Sequence, residues 1–300
     1  MALRKQFAAR PRLACEITSE RVIAARSSEK SPALDLFATR RLDEGVVAPG
    51  LNSPNVLVKE KLSEAIGGAL ASVSGKVRDV IAVLPDAAIR VVLLEFESLP
   101  TKPQECEPVI RFRLKKSLPF DVERAALSYE IKRDNGAVKV VSAVAPREVI
   151  EEYEAAFYDA GYAPGVLLPS SLASLGLVEG NRPTLLLKVD PLNVNVAAVQ
   201  NQELRLIRTL DSPQGQYVSP TELAEVVLPS IAFFEDTFGS PIEHIFINGV
   251  ASLVEVGPML HEFTGARVEE LSPDTASIQS LGGDQLPSSA MAGVAGALLG

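Results

Sequence analysis

Thr184-Leu-Leu-Leu-Lys-Val189, Val194-Asn-Val-Ala-Ala-Val-Gln200 and Glu203-Leu-Arg-Leu-Ile-Arg-Thr209 follow one another with only short breaks between them. Each is short, apolar and rich in residues that suit a pleated surface, so each reads as a strand. Asn201-Gln202 is short enough to make the last two a hairpin. Ser219-Pro-Thr-Glu222 then opens a helix. The Ser219 hydroxyl can accept from the backbone three residues on, and Glu222 can return the bond, which is a capping box. The apolar face is Leu223, Val226, Val227, Ile231, Phe234 and Phe238, with Gly239 as the stop and Pro229 expected to kink it. A strand at His244–Ile247 and a helix around Leu253–Phe263 complete the run.

The same order stands about 170 residues earlier. Arg12–Ile17, Arg21–Arg26 and Ala33–Arg40 read as three strands. A helix follows, with Ser53 as its cap, Pro54 in its first turn and Val58, Leu62, Ile66, Ala69, Leu70 and Val73 at helical spacing. Val80–Leu84 is the strand after it. Two α/β halves of this order, facing each other across a cleft, are the plan of the actin-like (ribonuclease-H-like) fold.

Between the halves lies a separate block. Ile89–Phe96 reads as a strand. Thr101 and Gln104 offer a second capping box around Pro103, and the helix carrying Ile110, Leu114 and Leu118 ends at Leu118-Pro119-Phe120. Strands at Ala126–Lys132 and Val138–Ala145 meet at the turn Asp134-Asn135-Gly136. A helix over Arg147–Ala160 stops at Gly161 and returns the chain to the first half, which Val166–Leu168 and a short helix from Ser170 close. The expected organisation is 1–88 plus 146–180 as the first half, 89–145 as an inserted small α/β subdomain, and 181–300 as a reduced second half.

Composition removes several classes of function. The chain has 300 residues, 38 acidic and 29 basic, for a net charge of −9. That balance argues against nucleic-acid binding, which needs a basic field. Two Cys and two His at wide separations give no metal-ligand spacing and no disulfide framework. There is no Walker A run, no G-x-G-x-x-G and no G-x-S-x-G. His244, before an apolar strand, reads as structural. No signal segment or span of ~20 apolar residues appears, so a soluble, cytoplasmic protein is expected.

Arg111-Phe-Arg-Leu-Lys-Lys-Ser-Leu-Pro-Phe-Asp121 is followed by Leu127-Ser-Tyr-Glu-Ile131, by Tyr153-Glu-Ala-Ala-Phe-Tyr-Asp-Ala-Gly-Tyr162 and by Leu168-Pro-Ser-Ser-Leu-Ala173. This series resembles the PilM family, the actin-like cytoplasmic proteins of type IV pilus assembly. The cytoplasmic region of the type II secretion protein GspL is similar to that family. The resemblance runs in order through most of the chain and is most specific over residues 80–175. It implies a scaffold at the inner face of the inner membrane, peripheral to it through its partner. That partner would be the N-terminal cytoplasmic peptide of a PilN-like membrane protein, bound in a cleft involving the inserted subdomain. Many members bind ATP.

The family's nucleotide motifs are altered here. Backbone N–H groups must approach phosphates, and glycine permits that approach. Where the family's first motif reads like Asp-Ile-Gly-Ser-Ser-Ser-Val-Lys, this chain has Glu16-Ile17-Thr18-Ser19-Glu20-Arg21-Val22-Ile23. Glu16 keeps an acid, Thr18 replaces the glycine, Ile23 replaces the lysine and Glu20 adds a negative charge. In the second turn, Lys188-Val189-Asp190-Pro191-Leu192-Asn193, the glycine position holds Asp190 and Pro191 lacks a donor. A carboxylate 4 Å from a unit negative charge costs roughly 4 kcal/mol at an effective dielectric near 20. The adenosine motif keeps Gly249 but has Val250 in place of a second glycine. About ten residues, Asp211–Pro220, stand where the family carries a further subdomain of several dozen. The expectation is a non-catalytic pseudo-ATPase with no cofactor, the alternative being a working actin-like ATPase that uses ATP and Mg²⁺ with Glu16 holding the metal.

The basic run Arg111, Arg113, Lys115 and Lys116 stands out in an acidic chain. It reads either as a solvated helix face or as a surface for anionic lipid or an acidic segment. Arg111, Phe112, Lys115 and Phe120 are the candidate partner-binding residues. Phe112 is singled out because its arginine neighbours place it near solvent.

Overall fold

In the computed structural model the described residues are 11–29, 31, 33–134, 136–191, 193–211, 219–274, 278–282 and 286–300. Asn135, Leu192 and most of the expected Asp211–Pro220 link (residues 212–218) lie outside them.

The first half is built on β1 (Leu13–Ile17), β2 (Arg21–Ser27), β3 (Leu34–Arg41), helix α1 (Lys59–Ser74) and β4 (Asp79–Leu84). Strand alternation divides the buried side chains between two layers. Leu13, Cys15 and Ile17 of β1, with Val80, Ala82 and Leu84 of β4, pack under Leu62, Ile66, Leu70 and Val73 of α1. Ala14, Ile81 and Val83 face the opposite layer. Helix α1 begins at Lys59 with Val58 before it, so Ser53 and Pro54 do not cap it. That segment is held by other means. The Asn55 side chain bonds Gly50 and Asn52, and Glu152, almost a hundred residues on, accepts from the Ser53 hydroxyl and the Asn55 and Val56 amides.

The inserted block has β5 (Arg90–Phe96), α2 (Pro103–Leu114), β6 (Ala126–Asp134) and β7 (Ala137–Ala145), with sheet order β5-β7-β6. Cys106, Ile110 and Leu114 of α2 meet Leu94, Val138 and Val140. The capping box at Thr101 and Gln104 does not form: Pro103 takes the first helical position after an extended Lys102. The helix runs unbroken through Pro108, which sits on its exposed side, and ends at Leu114, short of Leu118.

Helix α3 (Arg147–Asp159) leads back to β8 (Ala163–Pro169) and α4 (Ser170–Ser174). Tyr153 and Phe157 of α3 are wholly buried against α1.

The second half carries β9 (Thr184–Val189), β10 (Asn193–Gln200), β11 (Glu203–Asp211), α5 (Pro220–Phe238), β12 (His244–Asn248), α6 (Leu253–Thr264) and β13 (Arg267–Glu270). Sheet order is β11-β10-β9-β12-β13. Asn201 and Gln202 both have positive φ, 53° and 60°, as a tight two-residue hairpin requires. The Ser219–Glu222 capping box forms in both directions, and α5 is continuous through Pro229.

The expected second half does not hold the chain to residue 300. Past β13 the chain crosses back: β14 (Gln279–Ser280) pairs with β3, completing a first sheet of order β14-β3-β2-β1-β4-β8. Helix α7 (Ala292–Leu299) then packs with α4 on the inner face of that sheet. Ala292 also joins Leu186 and Ala197 of the second sheet, so α7 lies at the seam between the halves. Seven of its eight residues, Ala292 to Leu298, are buried, which is why it shows no polar face in sequence.

Cys15 and Cys106 are free and buried. Among the described residues no helix is long and apolar enough to cross a membrane, and no group of three His, Cys, Asp or Glu is placed to hold a metal ion.

Candidate functional site

Alternation along β9 puts Leu185, Leu187 and Val189 against α5 and α6, and so turns Leu186 and Lys188 toward the first half. Opposite stand the end of β1, the turn after β4 and the first residues of α4. A cleft of about 290 Å³ between the halves is lined by Glu16, Thr18, Ser19, Lys188, Asp190, Gly249 and Val250, with Ser174 of α4 and Gly293 of α7. Of the expected nucleotide positions only Asn193 lies outside it, lining a neighbouring pocket of about 200 Å³ behind Lys188 and Asp190.

Lys188 is the residue that the sequence reading passed over. Its Nζ donates to Asp190 Oδ1 at 2.6 Å and to Asp86 Oδ2 at 3.5 Å. The lysine side chain is 13% exposed and that of Asp86 4%. Burial alone would lower the lysine's affinity for its proton, but Asp190, Asp86 and Glu16 together outweigh it, and the net direction is up. Asp86 also accepts from the Ser171 amide and hydroxyl at the start of α4.

Asp190 is not the bare carboxylate that its place in the turn suggests. Its oxygens are taken by Lys188 and, at 2.9 Å, by Asn195 Nδ2. Burial still pushes its pKa up against the pull of Lys188.

Glu16 is 3% exposed. Ser170 Oγ donates to its Oε1, while Oε2 has no hydrogen-bond partner among the described residues. Burial pushes Glu16 up to about 7, against the opposing effects of Lys188 and the Ser170 bond. Gly293 of α7 lies directly on this carboxylate. A Cβ there would stand 2.3 Å from Oε2, so only glycine lets the helix pass.

Four amides of the two turns are used within the turns. The Thr18 amide donates to the Arg21 carbonyl at 2.9 Å, and the Thr18 hydroxyl accepts from the Glu20 and Arg21 amides. The Asp190 amide donates to the Asn193 carbonyl at 2.8 Å. Gly249, at φ +84°, crosses over Val189, whose carbonyl would lie 2.0 Å from an added Cβ. Glu20 is exposed at the cleft mouth beside Arg21.

The four candidate partner-binding residues differ in their surroundings. Arg111 is structural: its guanidinium donates to the carbonyls of Val122 and Ala125 and pairs with Glu107. Lys115 pairs with Glu123 at 2.5 Å. Phe112 is 68% exposed on the outer side of α2. Phe120 is half-buried at the join of the inserted block and the first half, in a pocket of about 140 Å³ with Arg124, Pro146, Arg147 and Glu148. His244 sits half-buried beside Glu269 and Phe246, while His261 is exposed on α6 with its ring nitrogen against the Ala266 carbonyl.

No protein-family model matches the chain, and no curated protein matches it in sequence. Among solved structures it is similar to the PilM-PilN type IV pilus biogenesis complex, with 20% identity and a TM-score of 0.73 over 96% of this chain and 97% of that one. It is also similar to the cytoplasmic domain of EpsL, an inner-membrane component of the type II secretion system of Vibrio cholerae. There the identity is 12% and the TM-score 0.54, covering 96% of this chain and 94% of that one. A Bacteroides thetaiotaomicron protein of actin-like ATPase fold matches at 10% identity and TM-score 0.51, covering 85% and 89%. With two sheets of related order facing a common cleft and a small α/β block inserted in the first half, the chain has the actin-like fold.

Proposed function

We propose that this chain is a cytoplasmic scaffold of a type IV pilus or type II secretion-like inner-membrane platform. In this reading it binds the N-terminal cytoplasmic peptide of a PilN-like membrane protein and does not hydrolyse ATP. The fold likeness to a PilM-PilN complex over nearly the whole of both chains supports the platform and the partner. The cleft chemistry supports the loss of nucleotide use, and the single observation that carries it is Lys188. Its ammonium is already paired with Asp190 and Asp86 inside the cleft, so it is not free for a nucleotide's phosphate oxygens. The turns on either side spend the Thr18, Glu20, Arg21 and Asp190 amides on their own carbonyl and hydroxyl oxygens. Glu16, drawn toward the neutral form by burial, is a poor metal ligand.

For the peptide, the pocket at Phe120, Arg124, Pro146 and Arg147 is the favoured seat, because it lies where the inserted subdomain joins the first half. The test is calorimetric titration of the full chain with the N-terminal peptide of a membrane protein encoded beside it. Binding that weakens in Phe120→Ala supports the reading, and no binding at high micromolar peptide refutes it. A parallel melting series with millimolar Mg-ATP addresses the cleft. A ligand that binds only the folded state raises Tm, so a clear rise would favour a working ATP-binding protein.

A further inference from the structure

The cluster around Lys188 joins the two halves of the molecule. Lys188 and Asp190 belong to the second half, while Asp86 lies in the turn after β4 of the first. Asp190 alone would satisfy the ammonium locally at 2.6 Å, so the reach to Asp86 at 3.5 Å is what crosses the cleft. Asp86 cannot follow the lysine if the halves part, because Ser171 binds it through both amide and hydroxyl. Asp86 is buried and Lys188 largely so, at 4% and 13% side-chain exposure, where ionic attraction is screened less by salt than at the surface. Arg90, at the start of β5, also feels the charges of Asp86 and of Asp211 on β11. A further charged tie lies at the rim. There Glu203, on the β10–β11 hairpin, accepts from Lys132 and Lys139 of the inserted block, and Lys132 is 56% exposed. That contact is the weaker candidate for setting the cleft.

From this geometry we infer that Lys188 is a built-in cation that latches the two halves together across the floor of the cleft. A free metal ion bridging acids from both halves would make closure depend on its supply. An ammonium tethered to β9 is present in every copy, so closure is intrinsic and independent of ions and nucleotide. The latch rests on the contacts at residues 86, 171, 188 and 190 and stands whether or not the chain binds a pilus peptide.

The experiment is amide hydrogen exchange on the full chain, wild type against Asp86→Asn and Lys188→Met. Asparagine at position 86 keeps an acceptor for Ser171 and leaves the Lys188–Asp190 pair intact, so it removes the charge that crosses the cleft. The expected result is exchange faster by roughly tenfold or more at α4 and at the start of α7, with β9 and β10 unchanged. Lys188→Met should give the same local pattern. If Lys188→Met does not fold, Asp86→Asn decides the matter. Unchanged exchange at the seam overturns the latch. Exchange that rises equally throughout the chain also overturns it, since the pair would then serve overall stability. A slowing of seam exchange in the wild type on adding millimolar MgCl₂ would overturn it as well, by showing that a free metal does the bridging.

Discussion

Glu16→Gln tests the electrostatics of the cleft most directly. Glutamine keeps the shape of the protonated acid and the acceptor for Ser170 Oγ, and it cannot ionise. Burial raises Glu16 from an ordinary 4.5 to about 7. The folded protein therefore holds a proton that the unfolded chain has already lost. Folding takes up that proton between those two values, so stability is fully present below about pH 4.5 and falls as pH rises toward 7. At ~1.4 kcal/mol per decade, the interval corresponds to about 3 kcal/mol. The variant lacks this loss. It should match the wild type near pH 4.5 and exceed it by up to about 3 kcal/mol above pH 7. Urea unfolding of both proteins across that range, followed by circular dichroism, measures the difference. A constant difference across the range would refute the reasoning. So would a variant less stable than the wild type in alkali, because the ionised Glu16 would then be a needed partner of Lys188.

Gly293→Ala should destabilise by about 1–3 kcal/mol in the same assay, since its Cβ would meet a carboxylate that Ser170 holds in place. Arg111→Ala and Phe112→Ala should separate by equilibrium unfolding although they are neighbours. The first loses bonds to Val122 and Ala125 and costs about 1–3 kcal/mol. The second, on an exposed side chain, stays within ~0.5 kcal/mol of the wild type. Ser219→Ala removes the capping box of α5 and should lower stability by about 1 kcal/mol, read as a fall in Tm.

What the sequence makes legible is local. The Asn201–Gln202 hairpin, the Ser219–Glu222 box and the stops at Gly161 and Gly239 all depend on neighbours within a few residues, and the structure has each of them. Ser53-Pro54 carries the same signal as a true cap, yet α1 begins at Lys59. Glu152 competes for the same amides from almost a hundred residues away. Glu16 and the residues of the two turns are legible because their motif positions are contiguous in the chain. Lys188 was a visible anomaly, a charge on the inward face of an apolar strand. Its meaning depended on Asp86 and Ser171, which only the folded topology brings to it. Helix α7 carried no periodic signal at all, because both the first sheet and the second half cover it.

The position of α7 bears on how the protein is made. Ala14, Ile23 and Ile81 belong to strands that leave the ribosome early, yet the residues that cover them, Met291 to Leu298, emerge more than two hundred positions later. Until then that face of the first sheet is covered only in part, by Ala173 and Leu177. The first half therefore cannot complete its folding as an independent unit during synthesis, and ribosome-bound chains should offer that face to chaperones. An arrest series stopped before and after residue 291 would show the step as a late gain of protease resistance in residues synthesised at the outset.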